Sequence, residues 1–300
     1  MTTTTSSLSI SPLRAWLMAI RVPTLPAAVV PVLVGSAIGY KLGAFNPLAM
    51  LAALVAALLI QIGTNLANDY FDAKKGADTE ERLGPTRVTQ SGLIAPHTVR
   101  NAMIASFALA ALCGIYLITI GGWPILMIGL LSIAAGILYT GGPFPLGYNG
   151  LGDIFTFIFF GVAAVVGTTY LHTGRFEFAA LVNSLPIAML VTAIIVVNNV
   201  RDAPTDKKAG KRTLAVIYGE SFARTEYALL VLGAYMILPV AMTLRFASPW
   251  VLLAWLSTPL VIPLLELVGK ARGKALNKAL RGTARLHMVF GALFALGLIL

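Results

Sequence analysis

The chain carries little charge for its length. Only 11% of its 300 residues are Asp, Glu, Lys or Arg, whereas a soluble domain of this size usually has about 25%. Hydrophobic residues make up 58% of the chain, and no polar stretch is long enough to build a separate soluble domain. This composition indicates a protein that is embedded in a membrane.

Cysteine and histidine are equally scarce. The single cysteine, Cys113, lies in an apolar run and rules out a disulfide framework or a cysteine-based metal site. The three histidines, at positions 97, 172 and 287, are scattered and do not suggest a zinc or haem centre. In so apolar a chain, the net charge of +10 favours membrane lipid or an anionic substrate as the partner. We expect no nucleic-acid partner.

Long apolar runs dominate the sequence. A membrane-spanning helix needs about 20 mostly apolar residues. Nine segments qualify, at roughly 16–40, 47–71, 99–120, 123–141, 151–171, 181–201, 226–244, 249–268 and 284–300. We therefore expect an all-α, polytopic membrane bundle of nine transmembrane helices. Residues 1–12 lack the features of a signal peptide and are expected to form a disordered cytoplasmic tail before a single transmembrane domain at 13–300.

The basic residues are distributed unevenly between the connecting segments. With the N-terminus in the cytoplasm, 19 of the 22 Lys and Arg lie on the cytoplasmic side, and only Lys41, Arg175 and Arg245 lie outside. The positive-inside rule favours this orientation. It predicts a multi-pass protein of the inner (plasma) membrane, with the C-terminus outside and the long loops at about 72–98, 202–225 and 269–283 in the cytoplasm.

Two clusters of Asn and Asp interrupt the apolar pattern. Within each cluster an Asn and an Asp lie four residues apart and share one face of a helix. Both helices run toward the cytoplasm, so both clusters emerge at the same surface. Gly76 and Pro204 are expected to end or bend these helices, leaving the last Asp of each cluster on a loop. The clusters comprise Asn68, Asp72 and Asp78, and Asn198, Asp202 and Asp206.

Carboxylates at this density repel one another unless a cation lies between them. Mg²⁺ prefers oxygen ligands and usually binds through one or two carboxylates plus substrate phosphates. We therefore predict a shared magnesium–diphosphate site with all six cluster residues as metal ligands. Ordinary mixed-charge loops are the alternative, and Asp69 is a weaker candidate because it points away from Asp72. Candidates for direct contact with the diphosphate are Lys75, Arg87, Lys207, Lys211 and Arg212.

At these residues the sequence resembles the UbiA superfamily of intramembrane aromatic prenyltransferases, which carries two Asp-rich motifs of the NxxxD type in a nine-helix bundle. The resemblance extends over essentially the whole chain and is strongest to the branch that prenylates 1,4-dihydroxy-2-naphthoate. Gly76 stands where some relatives have a third Asp, and Asp78 is its expected replacement. The stretches that carry the resemblance include NLANDYFDAKKGADT, GPTRVTQSGLI, YTGGPFPLGYNGLGD and NNVRDAPTDKKAGKRTL.

The resemblance implies transfer of a polyprenyl group from polyprenyl diphosphate to 1,4-dihydroxy-2-naphthoate. CO2 and diphosphate are lost, giving demethylmenaquinone in menaquinone biosynthesis. Mg²⁺ held by the expected catalytic residues Asp72, Asp202 and Asp206 neutralises the departing diphosphate. Asp153 also suits a helix N-cap, and Arg21 also suits a snorkelling membrane anchor. The expected acceptor and prenyl pocket contains Arg21, Tyr70, Tyr139, Asn149 and Asp153.

Other interpretations remain open at this point. 4-Hydroxybenzoate, homogentisate or a glycerol phosphate lipid would use the same metal chemistry. A membrane transporter is less favoured because transporter sites tend to lie near the midplane, and a non-catalytic scaffold has no use for two intact clusters. The basic segment 269–287 is expected to lie on anionic lipid. The sequence leaves open the prenyl chain length, the number of magnesium ions and the oligomeric state.

Overall fold

The computed structural model describes residues 10–76 and 82–300. All regular structure in these residues is helical, which confirms the predicted all-α class. Residues 1–9, most of the predicted tail, lie outside the described residues, as does Asp78. The helices are α1 (Pro12–Ile20), α2 (Pro26–Lys41), α3 (Pro47–Lys74), α4 (Pro96–Leu138), α5 (Gly152–Thr173), α6 (Phe178–Lys208), α7 (Leu214–Ile217), α8 (Glu220–Thr243), α9 (Pro249–Lys270) and α10 (Leu276–Ile299).

Proline and capping side chains mark where several helices begin. Asn46 caps α3 with its Oδ1, which accepts a 3.0 Å hydrogen bond from the backbone N–H of Ala49. Ser11 caps α1, close to the predicted boundary of the tail. A proline in the first turn, as in α2, α3, α4 and α9, removes no intrahelical hydrogen bond and has its φ preset for a helix.

The number of membrane-spanning helices differs from the prediction. Within the described ranges, seven helical elements are long and apolar enough to cross a membrane, or eight if the pair α1–α2, bent by 47°, forms one span. The predicted count of nine is therefore not confirmed, although the chain is an integral membrane protein. The main difference is α4, which joins two predicted helices into 43 residues and is interrupted at Gly122 by a positive φ of 62°.

The predicted first helix, 16–40, is divided as well. Helix α1 ends at Ile20, Arg21 adopts a left-handed backbone with φ 53°, and a 3₁₀ turn at Val22–Thr24 leads into α2. Pro23 and Pro26 lie in this corner and lack the N–H groups that a continuous helix would use. The break directs the chain so that Arg21 lies at a corner and not inside a helix.

Helix α6 lies at the centre of the bundle and packs against α2, α5, α8 and α10. Small residues let neighbouring backbones approach closely, as is usual between membrane helices. A Cβ atom on Gly161 of α5 would collide with the backbone of Ala188 on α6, and one on Gly291 of α10 would collide with Val30 on α2. These contacts hold α5 close to α6 and α10 close to α2.

Two predicted helix ends are wrong. Helix α6 continues through Pro204 to Lys208, so Asp206 lies on the helix and not on a following loop. Membrane helices tolerate proline because neighbouring groups satisfy the freed backbone. Helix α10 begins at Leu276, eight residues before the predicted start, so the basic segment 269–287 is not a separate interfacial helix. The second cluster is therefore presented on a single helical face, with residues at intervals of four.

Candidate active site

A cavity of about 570 Å³ lies between α2, α3, α4, α5 and α6. Along α3 its wall changes from Ala53 and Ala56 in the first half to Asn68 and Asp72 near the end. Its apolar part is long and contains several aromatic rings. Its polar part contains Asn68 and Asp72 of the first cluster and all three residues of the second cluster, which the sequence had predicted to share one site with the first. The apolar wall includes Val32, Leu117, Ile118, Ile125, Leu126, Phe155, Phe159, Phe160 and Leu171.

Asp72 is the carboxylate of the first cluster that the structure describes, and three side chains contact it. It is 2% exposed, and its Oδ2 accepts a 2.9 Å hydrogen bond from Nη2 of Arg87. Its Oδ1 accepts a 2.7 Å hydrogen bond from the hydroxyl of Tyr148 and lies 3.6 Å from Nζ of Lys211. Three separate loops thus supply the groups around one carboxylate at the end of α3.

Asp69 holds the loop that supplies Arg87. Its Oδ2 accepts a hydrogen bond of 3.2 Å from the backbone N–H of Val88, and its Oδ1 accepts one of 3.0 Å from Thr89. The carboxylate is 2% exposed and does not line the cavity. Asp69 therefore anchors the loop. The sequence had already made it a weaker candidate for the metal site, because it points away from Asp72.

Arg201 organises the second cluster and was not among the predicted site residues. It is 1% exposed, and its Nε and Nη2 donate to Oδ1 and Oδ2 of Asp202 at 2.8 and 2.6 Å. Nη2 also donates to Oδ1 of Asn198 at 2.6 Å, and Nη1 donates to Oδ1 of Asn277 at 2.8 Å. Asn277 in turn donates to the carbonyl of Leu83 at 2.9 Å, so this network joins α6, α10 and the loop of Arg87.

Tyr148 and two lysines complete the polar end of the cavity. Nζ of Lys211 lies 4.6 Å from the centre of the Tyr148 ring, and Nζ of Lys75 lies 4.9 Å from it, within the range of cation–π attraction. Lys75 also donates to the carbonyl of Thr140 at 2.7 Å. Loss of surrounding water lowers the pKa of Lys75; the negative charge of Asp72 opposes this, and the charge of Lys211 adds to it.

The residues present fit a divalent cation shared with a diphosphate. The ammonium of Lys211 lies 3.6 Å from Asp72 and 3.8 Å from Asp206, so the carboxylates of α3 and α6 already share one cation. Across residues 10–76 and 82–300, no three Asp, Glu, His or Cys side chains form a complete metal cage. Further oxygen ligands would have to come from substrate phosphates and water, as is usual for Mg²⁺.

Nine of the predicted site residues line the cavity. Among them is Tyr139, whose pKa is raised by burial and by the charge of Asp153, so its phenol stays protonated. Arg21 also lines the cavity, which disagrees with a purely snorkelling anchor. The nine are Arg21, Asn68, Asp72, Arg87, Tyr139, Asn198, Asp202, Asp206 and Lys211. The sequence did not single out Arg82, Asn199 or Thr213, which line it as well.

Two predicted diphosphate contacts and two predicted pocket residues lie away from the cavity wall. Lys207 and Arg212 are exposed, although each directly follows a residue that lines the cavity, Asp206 and Lys211. Tyr70 packs against Phe71, with ring centres 5.2 Å apart. Asn149 donates to the carbonyl of Pro145 at 2.8 Å and closes a turn.

Lys75 and Asp153 lie behind the wall and contact residues that form it. Lys75 contacts Tyr148. Asp153 is 4% exposed, and its two oxygens lie 3.2 and 3.4 Å from Nδ2 of Asn199. The N-cap of α5 is Leu151, without a side-chain hydrogen bond, so the capping interpretation of Asp153 is wrong.

Comparison with curated proteins finds relatives along nearly the whole chain. A 1,4-dihydroxy-2-naphthoate octaprenyltransferase of Escherichia coli (strain K12) is 37% identical over 298 residues, which cover 97% of each chain. Proteins of the same name from Bacillus subtilis (strain 168) and Mycobacterium tuberculosis are 35% and 36% identical. These alignments cover 92% of this chain in both cases, and 89% and 93% of the respective relatives.

Solved structures share the fold at much lower identity. A UbiA homolog from Archaeoglobus fulgidus bound to DMAPP and Mg²⁺ superposes with a TM-score of 0.63 at 17% identity, covering 95% of this chain and 99% of that one. The apo structure of a UbiA homolog from Aeropyrum pernix K1 gives a TM-score of 0.65 at 13% identity, covering 96% and 98%. The UbiA prenyltransferase family matches residues 28–290, and this chain belongs to that family.

Proposed function

We propose that the protein transfers a polyprenyl group from its diphosphate to 1,4-dihydroxy-2-naphthoate in menaquinone biosynthesis. The observation that carries the proposal is the shared position of Lys211 between Asp72 and Asp206, at the polar end of a cavity with long apolar walls. Such a cavity suits a diphosphate head joined to a lipid tail. The names of the relatives, at 35–37% identity over nearly the whole chain, supply the acceptor.

The residues of the cavity divide the work of the transfer. Arg87 and Lys211 bring positive charge to the diphosphate, and Asp72, Asp202 and Asp206 are the carboxylate ligands for magnesium. A fourth oxygen ligand is Oδ1 of Asn68, which also accepts a 3.0 Å hydrogen bond from the hydroxyl of Thr140. Magnesium, when bound, supplies charge that neutralises the leaving diphosphate. The rings of Tyr139, Tyr148 and Phe155 line the cavity and suit stabilisation of an allylic cation.

The proposed transfer balances without a further reactant. The allylic C–O bond breaks, and its electron pair leaves with the diphosphate. The ring carbon that bears the carboxylate forms the new C–C bond, and the carboxylate then departs as CO2, which returns its bonding pair to the ring. The product is the reduced form of demethylmenaquinone. Side-chain nucleophiles are not needed, which agrees with the lack of a nucleophilic triad among the residues that line the cavity.

Orientation and span number belong to the same proposal. We place both Asn/Asp clusters on the cytoplasmic side of the inner membrane because 19 of the 22 basic residues then lie inside. An unbroken helix of 43 residues would extend about 65 Å, about twice the hydrocarbon core of a bilayer. If α4 crosses twice, turning at Gly122, the pair α1–α2 and the other long helices bring the count to nine.

A panel of acceptors tests the proposal directly. Membranes that contain the protein receive a radiolabelled polyprenyl diphosphate, Mg²⁺ and either 1,4-dihydroxy-2-naphthoate, 4-hydroxybenzoate or homogentisate. We expect a prenylated lipid, released CO2 and released diphosphate with the naphthoate alone. Membranes with Asp72→Asn serve as the background control.

Two results would contradict the proposal. Product from 4-hydroxybenzoate and none from the naphthoate would show that the acceptor is wrong. Uptake of label into sealed proteoliposomes, with no diphosphate released in the presence of any acceptor, would favour a transporter over an enzyme.

A further inference from the structure

Two neighbouring asparagines on α6, Asn198 and Asn199, both line the cavity and are held in opposite senses. Oδ1 of Asn198 receives a 2.6 Å hydrogen bond from Nη2 of Arg201. A guanidinium has donors only, so the amide oxygen must face Arg201. The Nδ2 group of Asn198 is then the part left for the cavity, where it acts as a hydrogen-bond donor.

Asn199 is fixed the other way by Asp153. Its Nδ2 lies 3.2 and 3.4 Å from the two carboxylate oxygens. A carboxylate offers only lone pairs, so the amide nitrogen must face Asp153. In the part of the chain that the structure describes, Oδ1 of Asn199 has no hydrogen-bond partner and is not enclosed by protein. The amide oxygen of Asn199 therefore faces the cavity.

Burial makes this arrangement hard to reverse. Asn199 is 7% exposed, and Asp153 is 4% exposed. If the amide rotated by half a turn, its oxygen would face the carboxylate and both groups would be left without a partner. Buried polar groups without partners are costly, so Asp153 keeps the oxygen of Asn199 pointing into the cavity.

We propose that Asn199 binds the aromatic acceptor by accepting a hydrogen bond from one of its ring hydroxyls, and that Asp153 is the positioning residue behind it. This inference rests on the proposed function. A diphosphate has no hydroxyl to offer to an amide oxygen, whereas a dihydroxynaphthoate has two. The donor group of Asn198 suits the oxygens of the diphosphate. Asn198 therefore contacts the prenyl diphosphate, and Asn199 contacts the aromatic acceptor. This assignment takes Asn198 out of the predicted metal ligands.

The surroundings of Asn199 suit a flat ring. Asp153 lies at the start of α5, where a Cβ atom on the neighbouring Gly152 would lie 2.7 Å from the hydroxyl of Tyr139. Tyr139 and Phe155 both line the cavity. An acceptor ring next to Asn199 would therefore lie among aromatic side chains, and a hydrogen bond from its hydroxyl to Oδ1 would increase the electron density of the ring.

Steady-state kinetics with modified acceptors tests the inference. The acceptors are 1,4-dihydroxy-2-naphthoate and its two monomethyl ethers, each of which removes one donor hydroxyl. For Asn199→Ala we expect the KM of the naphthoate to rise about tenfold, with the KM of polyprenyl diphosphate within about twofold of wild type. We expect one methyl ether to be a poorer substrate for wild type, and Asn199→Ala to have lost that discrimination. Asn198→Ala should raise the KM of the diphosphate instead.

Asp153 is tested with two variants and a matched control. Asp153→Asn keeps an oxygen that can accept from Asn199 and should retain most of the discrimination between acceptor and ether, whereas Asp153→Leu should lose it. Asn183→Ala is the control, because Asn183 is a buried asparagine at the other end of α6 that bonds to the carbonyls of Ala179 and Phe246. Its acceptor KM should match that of wild type.

The possible results separate the inference from the proposed function. A wild-type protein that gives no product from the naphthoate contradicts the proposed function. The inference would be contradicted, and the proposed function kept, if wild type is active and Asn199→Ala still discriminates against the same ether. A change in the magnesium requirement or in the KM of the diphosphate for Asn199→Ala, with the acceptor KM unchanged, also contradicts it, because it would make Asn199 part of the diphosphate site.

Discussion

Arg87 donates a 2.9 Å hydrogen bond to Asp72 and is itself 6% exposed. The guanidinium therefore reaches the polar end of the cavity from the loop between α3 and α4. A buried arginine must keep its carboxylate partner or exchange it for another anion. A diphosphate that enters this end of the cavity is such an anion.

Replacing Arg87 should weaken binding of polyprenyl diphosphate. Hydrogen bonds to charged groups contribute about 1.5–3 kcal/mol, so Arg87→Ala should lower kcat/KM for the diphosphate about 10- to 100-fold while the KM of the acceptor changes little. Arg100→Ala removes an exposed arginine on α4 and should behave like wild type. Equal kinetics for the two variants would remove Arg87 from the site.

Releasing the anchor at Asp69 should loosen the same loop without touching the cavity wall. Asp69→Ala leaves the backbone N–H groups of Val88 and Thr89 without their acceptor, at a cost of about 1–3 kcal/mol for each buried group. We expect faster cleavage by trypsin at Arg87 and a lower thermal midpoint in detergent, with kcat reduced as a consequence.

Asp69→Asn is the matched comparison, since its one amide oxygen can still accept from one of the two N–H groups. Its cleavage rate should lie between those of wild type and Asp69→Ala. Cleavage at an unchanged rate in Asp69→Ala would mean that other contacts hold the loop.

The spacing of residues correctly predicted which two residues at the start of each cluster share a helix face. It failed for positions whose structure depends on packing against distant helices. Asn68 and Asp72, and Asn198 and Asp202, share a helix face because helical periodicity is local. Asp206 was assigned to a loop because Pro204 usually ends a helix, yet packing against neighbouring helices carries α6 onward. Local pattern cannot foresee such tertiary support.

The partners of Arg201 were hidden for a related reason. Asn277 lies 76 residues away along the chain, so no local motif links it to the second cluster. In the sequence, Arg201 is one of many basic residues near the acids. Its full burial, which distinguishes it, depends on α10 closing over α6. The same holds for Asn199, whose partner Asp153 comes from α5.

Removing magnesium or its ligands should stop the transfer. We expect chelation by EDTA to abolish product formation and Mg²⁺ to restore it. Asp72→Asn and Asp202→Asn should each lower kcat by about 100-fold or more, the magnitude typical of losing one group that stabilises transition-state charge. Thermal unfolding gives a second measurement that does not depend on catalysis. In the presence of polyprenyl diphosphate, Mg²⁺ should raise the thermal midpoint of wild type, and it should raise the midpoint of Asp72→Asn much less.

Glu266→Gln is the control for these carboxylates, because Glu266 is exposed on α9 and lies away from the cavity. It should keep both full activity and the magnesium-dependent rise of the thermal midpoint. Activity of Asp72→Asn at the level of Glu266→Gln would contradict the metal assignment.

The apolar wall of the cavity predicts how the protein selects the length of its prenyl substrate. Gly114 and Gly129 lie on α4, on either side of the break at Gly122, and both line the cavity. A Cβ atom at either position would meet no other atom within 4 Å, so a larger side chain there is accommodated by filling the cavity and not by displacing a helix.

Gly129→Leu should therefore discriminate against long substrates. The added side chain should compete with the distal part of a long tail, and each displaced methylene costs about 0.8 kcal/mol of burial. Gly129 lies ten residues before Tyr139, about 15 Å along a helix, and we expect a two-isoprene tail to end before it. We expect kcat/KM for a long polyprenyl diphosphate to fall at least about tenfold relative to geranyl diphosphate. Gly269→Leu, at an equally open helical position on α9 away from the cavity, should leave this ratio unchanged. A ratio that changes equally in both variants would mean that the tail does not run along α4.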